Sequence, residues 1–264
     1  KIGFGLGVTV GDVNQDGWQD IFVSNDFFEK DYLYINNGDG TFTETLETYM
    51  SEISMGSMGA DMADINNDGL PEIYVTEMLP ENDDRLKTTS QFESYDHRMM
   101  AVNAGYYHQF SRNVLQLNNG NGTFSEISRQ AGVHATDWSW GALIFDMDND
   151  GWKDIFVANG IFKDLLDQDY VNFIATPDFI RQSIRRKEEV LKQLIDSIPS
   201  NKLPNYAFQN QGNLSFRNRV HDWGLDLPTH SNGSAYGDLD NDGDLDLVLN
   251  NVNMDASVYE NRSN

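Results

Sequence analysis

Apolar positions in this chain come in short bursts, and the bursts recur. Ile21-Phe22-Val23, Ile73-Tyr74-Val75, Ile155-Phe156-Val157 and Leu247-Val248-Leu249 are too brief for helices and rich in strand-forming residues. Each follows a polar nonapeptide: Asp12 to Asp20, Asp64 to Glu72, Asp146 to Asp154 and Asp238 to Asp246. Upstream of each nonapeptide, a glycine (Gly7, Gly59, Gly141, Gly233) opens another short apolar run into the first Asp. Downstream, a third run begins at Tyr32, Val114, Tyr206 and Ser257. Three of these enter tight turns, NNGDGTF at Asn36, NNGNGTF at Asn118 and NQGNLSF at Asn210. Asn-Gly or Asp-Gly between apolar runs is the strongest short-range hairpin signal. The pattern predicts four-stranded antiparallel meanders, with the last unit short of its fourth strand.

Meanders that repeat along a chain with one aromatic per hairpin are expected to form propeller blades. Phe42, Phe124 and Phe216 are the repeated aromatics, expected to pack between neighbouring blades. The units run over about 1–50, 51–132, 133–225 and 226–264, with insertions at about 78–112 and 161–203. The fold class expected is all-β, a β-propeller with two mainly helical insertions. Because both ends fall inside a unit, part of a larger propeller is expected, with a closed four-bladed ring as the alternative. An open end would expose strand edges.

The nonapeptides carry the candidate chemistry. Positions 1, 3, 5 and 9 hold a carboxylate or carboxamide: Asp12, Asn14, Asp16 and Asp20; Asp64, Asn66, Asp68 and Glu72; Asp146, Asp148, Asp150 and Asp154; Asp238, Asp240, Asp242 and Asp246. Position 6 is glycine each time, at Gly17, Gly69, Gly151 and Gly243. Alternating oxygen donors around a residue that turns at positive φ can wrap a hard cation, and Ca²⁺ takes six to eight oxygens. Position 7 (Trp18, Leu70, Trp152, Asp244) is expected to lend its backbone carbonyl, leaving its side chain free to vary. Mg²⁺ prefers a tight octahedron with retained waters. An EF-hand requires Glu at position 12 and flanking helices, whereas that position here is Val23, Val75, Val157 and Leu249. About four structural Ca²⁺ ions are therefore expected. Their shells, nearly filled by protein oxygens, lack the open position of a catalytic metal.

The stretch GLGVTVGDVNQDGWQDIFVSN resembles the FG-GAP repeat of integrin α-subunit propellers and, more closely, the bacterial VCBS repeat, including propellers that precede an ASPIC/UnbV segment. The resemblance extends over all four units. It implies a calcium-binding β-propeller, often seven-bladed, on an extracellular protein, with roles that include cell adhesion.

Composition sharpens the setting. The 264 residues carry a net charge of -24 from 42 acidic and 18 basic side chains. Such a surface is wrong for nucleic acid, which needs a Lys/Arg face. Cysteine is absent, so metal clips would have to replace disulfides. Millimolar calcium outside cells would saturate such loops, which favours an extracellular, cell-surface or periplasmic location. No apolar run is long enough to span a membrane.

In the first insertion, His97 and His108 with Tyr95, Tyr106, Tyr107 and Arg112 form the only His/Tyr/Arg concentration; such a set can serve acid-base work on an acidic polysaccharide, as in lyases, but more often packs and makes surface hydrogen bonds. In the second, Thr176 and Pro177 are expected to start a helix bearing Arg181, Arg185, Arg186 and Lys187. Both insertions leave between strands two and three, which places them on one rim, where recognition is usually built. No GxSxG, HExxH, P-loop or Rossmann fingerprint occurs. The expected function is a non-catalytic module recognising an extracellular protein or glycan, with a polysaccharide-active enzyme or its accessory domain as the alternative.

Overall fold

The computed structural model describes residues 3–89, 94–176, 192 and 194–263. Four antiparallel sheets in it are arranged as four propeller blades. Blade one comprises β1 (Phe4–Gly11), β2 (Asp20–Asp26), β3 (Tyr32–Asn36) and β4 (Phe42–Glu44). A short helix α1 (Leu46–Tyr49) and β5 (Ile53–Ser54) lead to blade two, which opens with β6 (Ala60–Ala63) and β7 (Glu72–Val75). The first insertion follows, with α2 (Asp83–Thr89), α3 (Tyr95–Asn103) and β8 (Gln109–Phe110), before β9 (Val114–Asn118) and β10 (Phe124–Glu126) complete the blade. After α4 (Ser128–Ala131), blade three holds β11 (Ser139–Phe145), β12 (Asp154–Asn159), β13 (Tyr206–Asn210) and β14 (Phe216–Asn218), with α5 (Gln168–Ile174) in its insertion. Blade four has β15 (Ser231–Gly237), β16 (Asp246–Asn251) and β17 (Ser257–Tyr259).

The meander order is as the hydrophobic pattern predicts, with three strands in blade four among the described residues. The helical turns α1 and α4, and the parallel pairing of β5 with β8, go beyond that pattern. Their segments are too short to show a period.

Strand alternation builds the core between blades. Phe22, Leu33 and Ile35 of blade one face Ile73, Val75, Val114 and Phe124 of blade two. Tyr74 and Leu115, on the opposite face of blade two, meet Ile144, Ile155, Val157 and Phe208 of blade three. Phe156 and Ala207 then meet Leu247 and Leu249 of blade four. Fully burying one such Leu or Phe stabilises by roughly 1.5–3 kcal/mol over leaving it exposed. Phe124 is buried and Phe216 half-buried between blades as expected, whereas Phe42 lies 43% exposed because no blade covers that side of blade one.

The first strands approach closely where glycine permits it. A Cβ on Gly59 would lie 2.2 Å from the Trp140 carbonyl oxygen. Hydroxyls stitch the same junctions: Ser24 Oγ donates to the Met58 carbonyl at 2.8 Å and Thr76 Oγ1 to that of Trp140 at 3.1 Å.

Both insertions do leave between the second and third strands, and α2 packs against α5. Arg85 of α2 binds Asp137 at 3.0 Å and also pairs with Asp164 at the start of the second insertion. Thr176, expected to cap the next helix, instead donates Oγ1 to the Phe173 carbonyl at 2.8 Å, at the end of α5. The expected helix from Pro177, with Arg181, Arg185, Arg186 and Lys187, lies outside the described residues except near its end. Among the described residues no helix is long and apolar enough to cross a membrane.

Candidate metal centres

Each nonapeptide joins the first two strands of its blade and takes the same shape four times. Position 1 closes the loop on backbone amides. Asp12 accepts from the N–H of Asp16 at 3.1 Å and of Gly17 at 2.8 Å, Asp64 from Asp68 and Gly69, and Asp146 from Asp150 and Gly151. Asp238 accepts from Asn241 and Gly243. Position 5 (Asp16, Asp68, Asp150, Asp242) accepts from the N–H of position 7 at 2.8 to 2.9 Å. The loop glycines have φ between 88° and 98°, as the sequence required.

Position 4 is also left-handed, at Gln15, Asn67, Asn149 and Asn241, with φ between 58° and 65°. Asn tolerates this region better than most residues, a signal present in the repeated Asn and not used in the sequence reading. These side chains also reach the next blade. Gln15 Nε2 donates to the Gly69 carbonyl at 3.0 Å, Asn67 Nδ2 to that of Gly151 at 3.2 Å, and Asn149 Nδ2 to Asp244 Oδ1 at 2.7 Å.

Position 9 is buried at the loop's base. Asp20, Glu72, Asp154 and Asp246 each accept from the position-2 amide and from an amide of the third strand or its turn, at Asn36, Asn118, Asn210 and Asn261. Burial outweighs these bonds and raises the Asp20 carboxyl, and it pushes Glu72 and Asp154 up to about 7. Carboxylates held dry beside further acids are suited to a cation.

The acids converge most in loops three and four. Oxygens of Asp146, Asp148 and Asp154 lie within 4.8 Å of one another, as do those of Asp238, Asp240 and Asp242. These two triads are able to hold metal ions. Gln209 Nε2 fixes Asp148 Oδ2 at 2.6 Å, while the other oxygen, Oδ1, is buried without a hydrogen-bond partner. In loops one and two position 3 is an amide, and Asn14 and Asn66 donate to Asp16 at 2.9 Å and Asp68 at 3.0 Å.

Position 7 has a packing role the sequence reading missed. Trp18, Leu70 and Trp152 lie against Gly38, Gly120 and Gly212 in the third-to-fourth-strand turns. Asp244 instead uses its side chain to receive Asn149.

Members of the His/Tyr/Arg set of the first insertion take separate structural roles, although the Tyr107 and His108 rings meet edge-on at 5.3 Å. Arg112 is buried and pairs with Glu52 at 3.2 Å and Glu126 at 3.0 Å. Tyr107 donates to the Met50 carbonyl at 2.8 Å, and Tyr95 stands 75% exposed.

The FG-GAP-like repeat family matches residues 12–75 and 101–157, covering the first three loops and the strands around them. No curated protein matches the chain. Among solved structures, one from work on recognition of non-reducing terminal N-acetylglucosamine by an Agrocybe aegerita lectin is similar at 15% identity. That match covers 96% of this chain and 80% of the other, with a TM-score of 0.21, which carries no argument about a ligand. Over residues 12–75 and 101–157 the chain belongs to the FG-GAP-like repeat family.

Proposed function

We propose that this protein is a calcium-stiffened propeller module that works outside the cytosol and recognises a protein or glycan on its insertion-bearing rim, without catalysis. One observation carries the reading: four loops of one geometry, two of them gathering three Asp carboxylates within 4.8 Å. An all-oxygen donor set of this kind suits Ca²⁺ over a softer metal. The ligands assigned are the side chains at positions 1, 3, 5 and 9 of each loop, and the carbonyl of position 7. The absence of cysteine and the calcium concentration outside cells support the location.

Recognition is assigned to the rim because both insertions rise there and large side chains remain exposed, including Phe27, Phe28 and Tyr95. Arg112 and Tyr107 are already committed to structural partners, which disfavours a lyase.

Calorimetric titration and thermal unfolding test the metal. At a calcium concentration about 100 times its dissociation constant, each site adds about 2.7 kcal/mol to the folded state. The unfolding midpoint is expected to rise with Ca²⁺, to fall on chelation, and to respond weakly to equal Mg²⁺. Asp146→Asn with Asp148→Asn should remove one binding event. Unchanged unfolding across chelator and millimolar Ca²⁺ would refute the reading.

A further inference from the structure

At the end of each blade away from the acidic loops, side chains tie the second strand to the third. The residue just before the third strand, Asp31, Asn113 or Asn205, takes the backbone N–H of Asn25, Glu77 or Asn159 on one side-chain oxygen at 2.7 to 2.9 Å. Those second-strand residues form another series, continued by Asn251 in blade four. Asn25, Asn159 and Asn251 donate Nδ2 to the carbonyls of Lys30, Pro204 and Asp255, each two residues before the third strand, at 2.8 to 3.2 Å. Neutral carboxamides hold these places in both series except at Asp31 and Glu77, which carry carboxyl groups.

Both exceptions meet where the chain crosses from blade one to blade two. Asp31 reaches forward with its second oxygen, which accepts from Ser57 Oγ at 2.9 Å, while Glu77 reaches back and accepts from the Gly56 N–H. Asp31, Ser57 and Glu77 are all buried. A Cβ on Gly56 would lie 3.2 Å from Glu77 Oε1 and 3.3 Å from Asp26 Oδ1, so the Gly56 backbone lies directly against both acids. Against this crossing lies the return of the first insertion. β8 pairs with β5, with the Ile53 N–H on the His108 carbonyl at 3.0 Å and the Met55 N–H on that of Phe110 at 3.1 Å. Tyr107 and Gln109 hold the same strap to the carbonyls of Met50 at 2.8 Å and Phe28 at 3.3 Å. Where the strap rejoins blade two, the Ser111 hydroxyl lies 3.0 and 3.1 Å from the two oxygens of Glu77.

The surroundings give ionised carboxyls little support. Burial pushes Asp31 from 3.8 and Glu77 from 4.5 each up to about 7, against the hydrogen bonds they accept. Asp26, at the end of β2, faces Glu77 and adds repulsion. The cations of the neighbouring elements are turned to other partners: Lys30 to Glu44 and Glu47, Arg112 to Glu52 and Glu126, and Arg98 to the face of the Phe110 ring. Ser57 and Ser111 suit the neutral acids as well, since a hydroxyl accepts from a protonated carboxyl as readily as it donates to an ionised one.

We propose that Asp31 and Glu77 form an acid-locked clasp on the first insertion, whose strap stays shut on the crossing between blades one and two while both carboxyls hold their protons and lifts when they ionise. Lifting the strap lets water reach both acids, which then recover their ordinary acidity. The closed form therefore binds protons that the open form releases. Closure is firmest below about pH 4, weakens as the pH rises to about 7, and changes no further above that. The strap belongs to the rim to which recognition is assigned, so that surface would change with pH; the clasp itself does not depend on what the rim binds.

The test is amide hydrogen exchange on the whole chain in millimolar Ca²⁺ at about pH 5 and about pH 8, each rate divided by the intrinsic rate at that pH to give a protection factor. Between the two conditions each acid should lower the protection of residues 53–57 and 107–112 by about tenfold or more. Residues 155–160 and 203–207, the same place in blade three, where Asn159 and Asn205 stand, should keep theirs. Asp31→Asn should remove part of the fall, and Asp31→Asn with Glu77→Gln all of it, leaving protection in the alkaline sample at its acidic level. The wild-type comparison decides even where a variant folds poorly. Equal protection of the strap in both samples, an equal fall in blade three, or a fall that persists in the folded double variant would overturn the clasp.

Discussion

Arg85 offers the sharpest test of how the two insertions are held together. Its guanidinium lies between Asp137, at 3.0 and 3.2 Å, and Asp164, whose side chain has no exposed surface. Arg85→Ala would leave two carboxylates with lesser partners: Asn201 at 3.3 Å and the Leu166 amide at 3.0 Å for Asp164, and the Trp138 amide at 2.8 Å for Asp137. Removing one member of a buried pair costs about 3–5 kcal/mol because the remaining charge stays dry. Asp137 retains 10% side-chain exposure, so the lower end, about 3 kcal/mol, is expected. The loss should fall on the insertions, because Arg85 belongs to one and Asp164 to the other. Hydrogen exchange should therefore quicken in α2 and α5 while β7 and β12 keep their protection. Arg85→Lys should recover only part, since an ammonium cannot reproduce the two-carboxylate fork. Replacing the group together, as Arg85→Met with Asp137→Asn and Asp164→Asn, should cost less than Arg85→Ala alone. If Arg85→Ala costs under about 1 kcal/mol by denaturant unfolding, the usual value of a solvated pair, the buried clamp is refuted.

Two further perturbations probe the blades. Burial pushes Glu77 from its ordinary 4.5 up to about 7, even though the Ser111 hydroxyl, 3.0 and 3.1 Å from its two oxygens, donates to the carboxylate. The folded chain then holds a proton that the unfolded chain releases, so stability falls as pH rises from about 4.5 to about 7, with a slope approaching roughly 1.4 kcal/mol per pH unit inside that window. Glu77→Gln should flatten that slope in denaturant midpoints taken across this range, and an unchanged slope would remove Glu77 as its cause. Gly59→Ala forces a methyl against the Trp140 carbonyl and should cost about 1–3 kcal/mol in the same assay; a neutral result would mean that blades two and three separate easily at the hub.

The strands, their order and the loops were legible because each depends on local chemistry. Asp and Asn at alternate positions, glycine where φ is positive, and β-branched runs of fixed length all stay in register over four units. What crosses between blades was not legible. That Asn118 reaches the Val13 carbonyl, 105 residues away, or that Gln15 reaches Gly69, follows from blade stacking and leaves no local period. The Arg85–Asp137–Asp164 cluster was hidden for the same reason, since one arginine and two acids far apart in sequence carry no motif. The His/Tyr/Arg concentration shows the reverse case, in which closeness along the sequence does not fix a shared role. Its members are neighbours in sequence, but Arg112 turns into a junction with Glu52 and Glu126 while Tyr95 faces solvent. Phe42 shows that even a correctly read repeat position depends on its neighbour: the same residue type is buried at Phe124, where a preceding blade exists to cover it.

The nonapeptide does more than turn the chain. Its position-1 and position-9 acids hold the loop to its own blade through backbone amides, while positions 2 and 4 reach the following one. A cation on the carboxylates would therefore fix one blade internally and, through the same nine residues, its junction with the next. Loss of an ion from the loop at Asp146 should accordingly loosen the contacts of Met147 with Asn261 and of Asn149 with Asp244, so that exchange in β17 rises along with exchange in β11. If the loops were only turns, Asp148→Asn would leave β17 as protected as before, because no hydrogen bond in the described residues ties Asp148 itself to blade four; the effect has to pass through the ordering of the loop, and its appearance separates a metal-braced junction from a merely well-turned one.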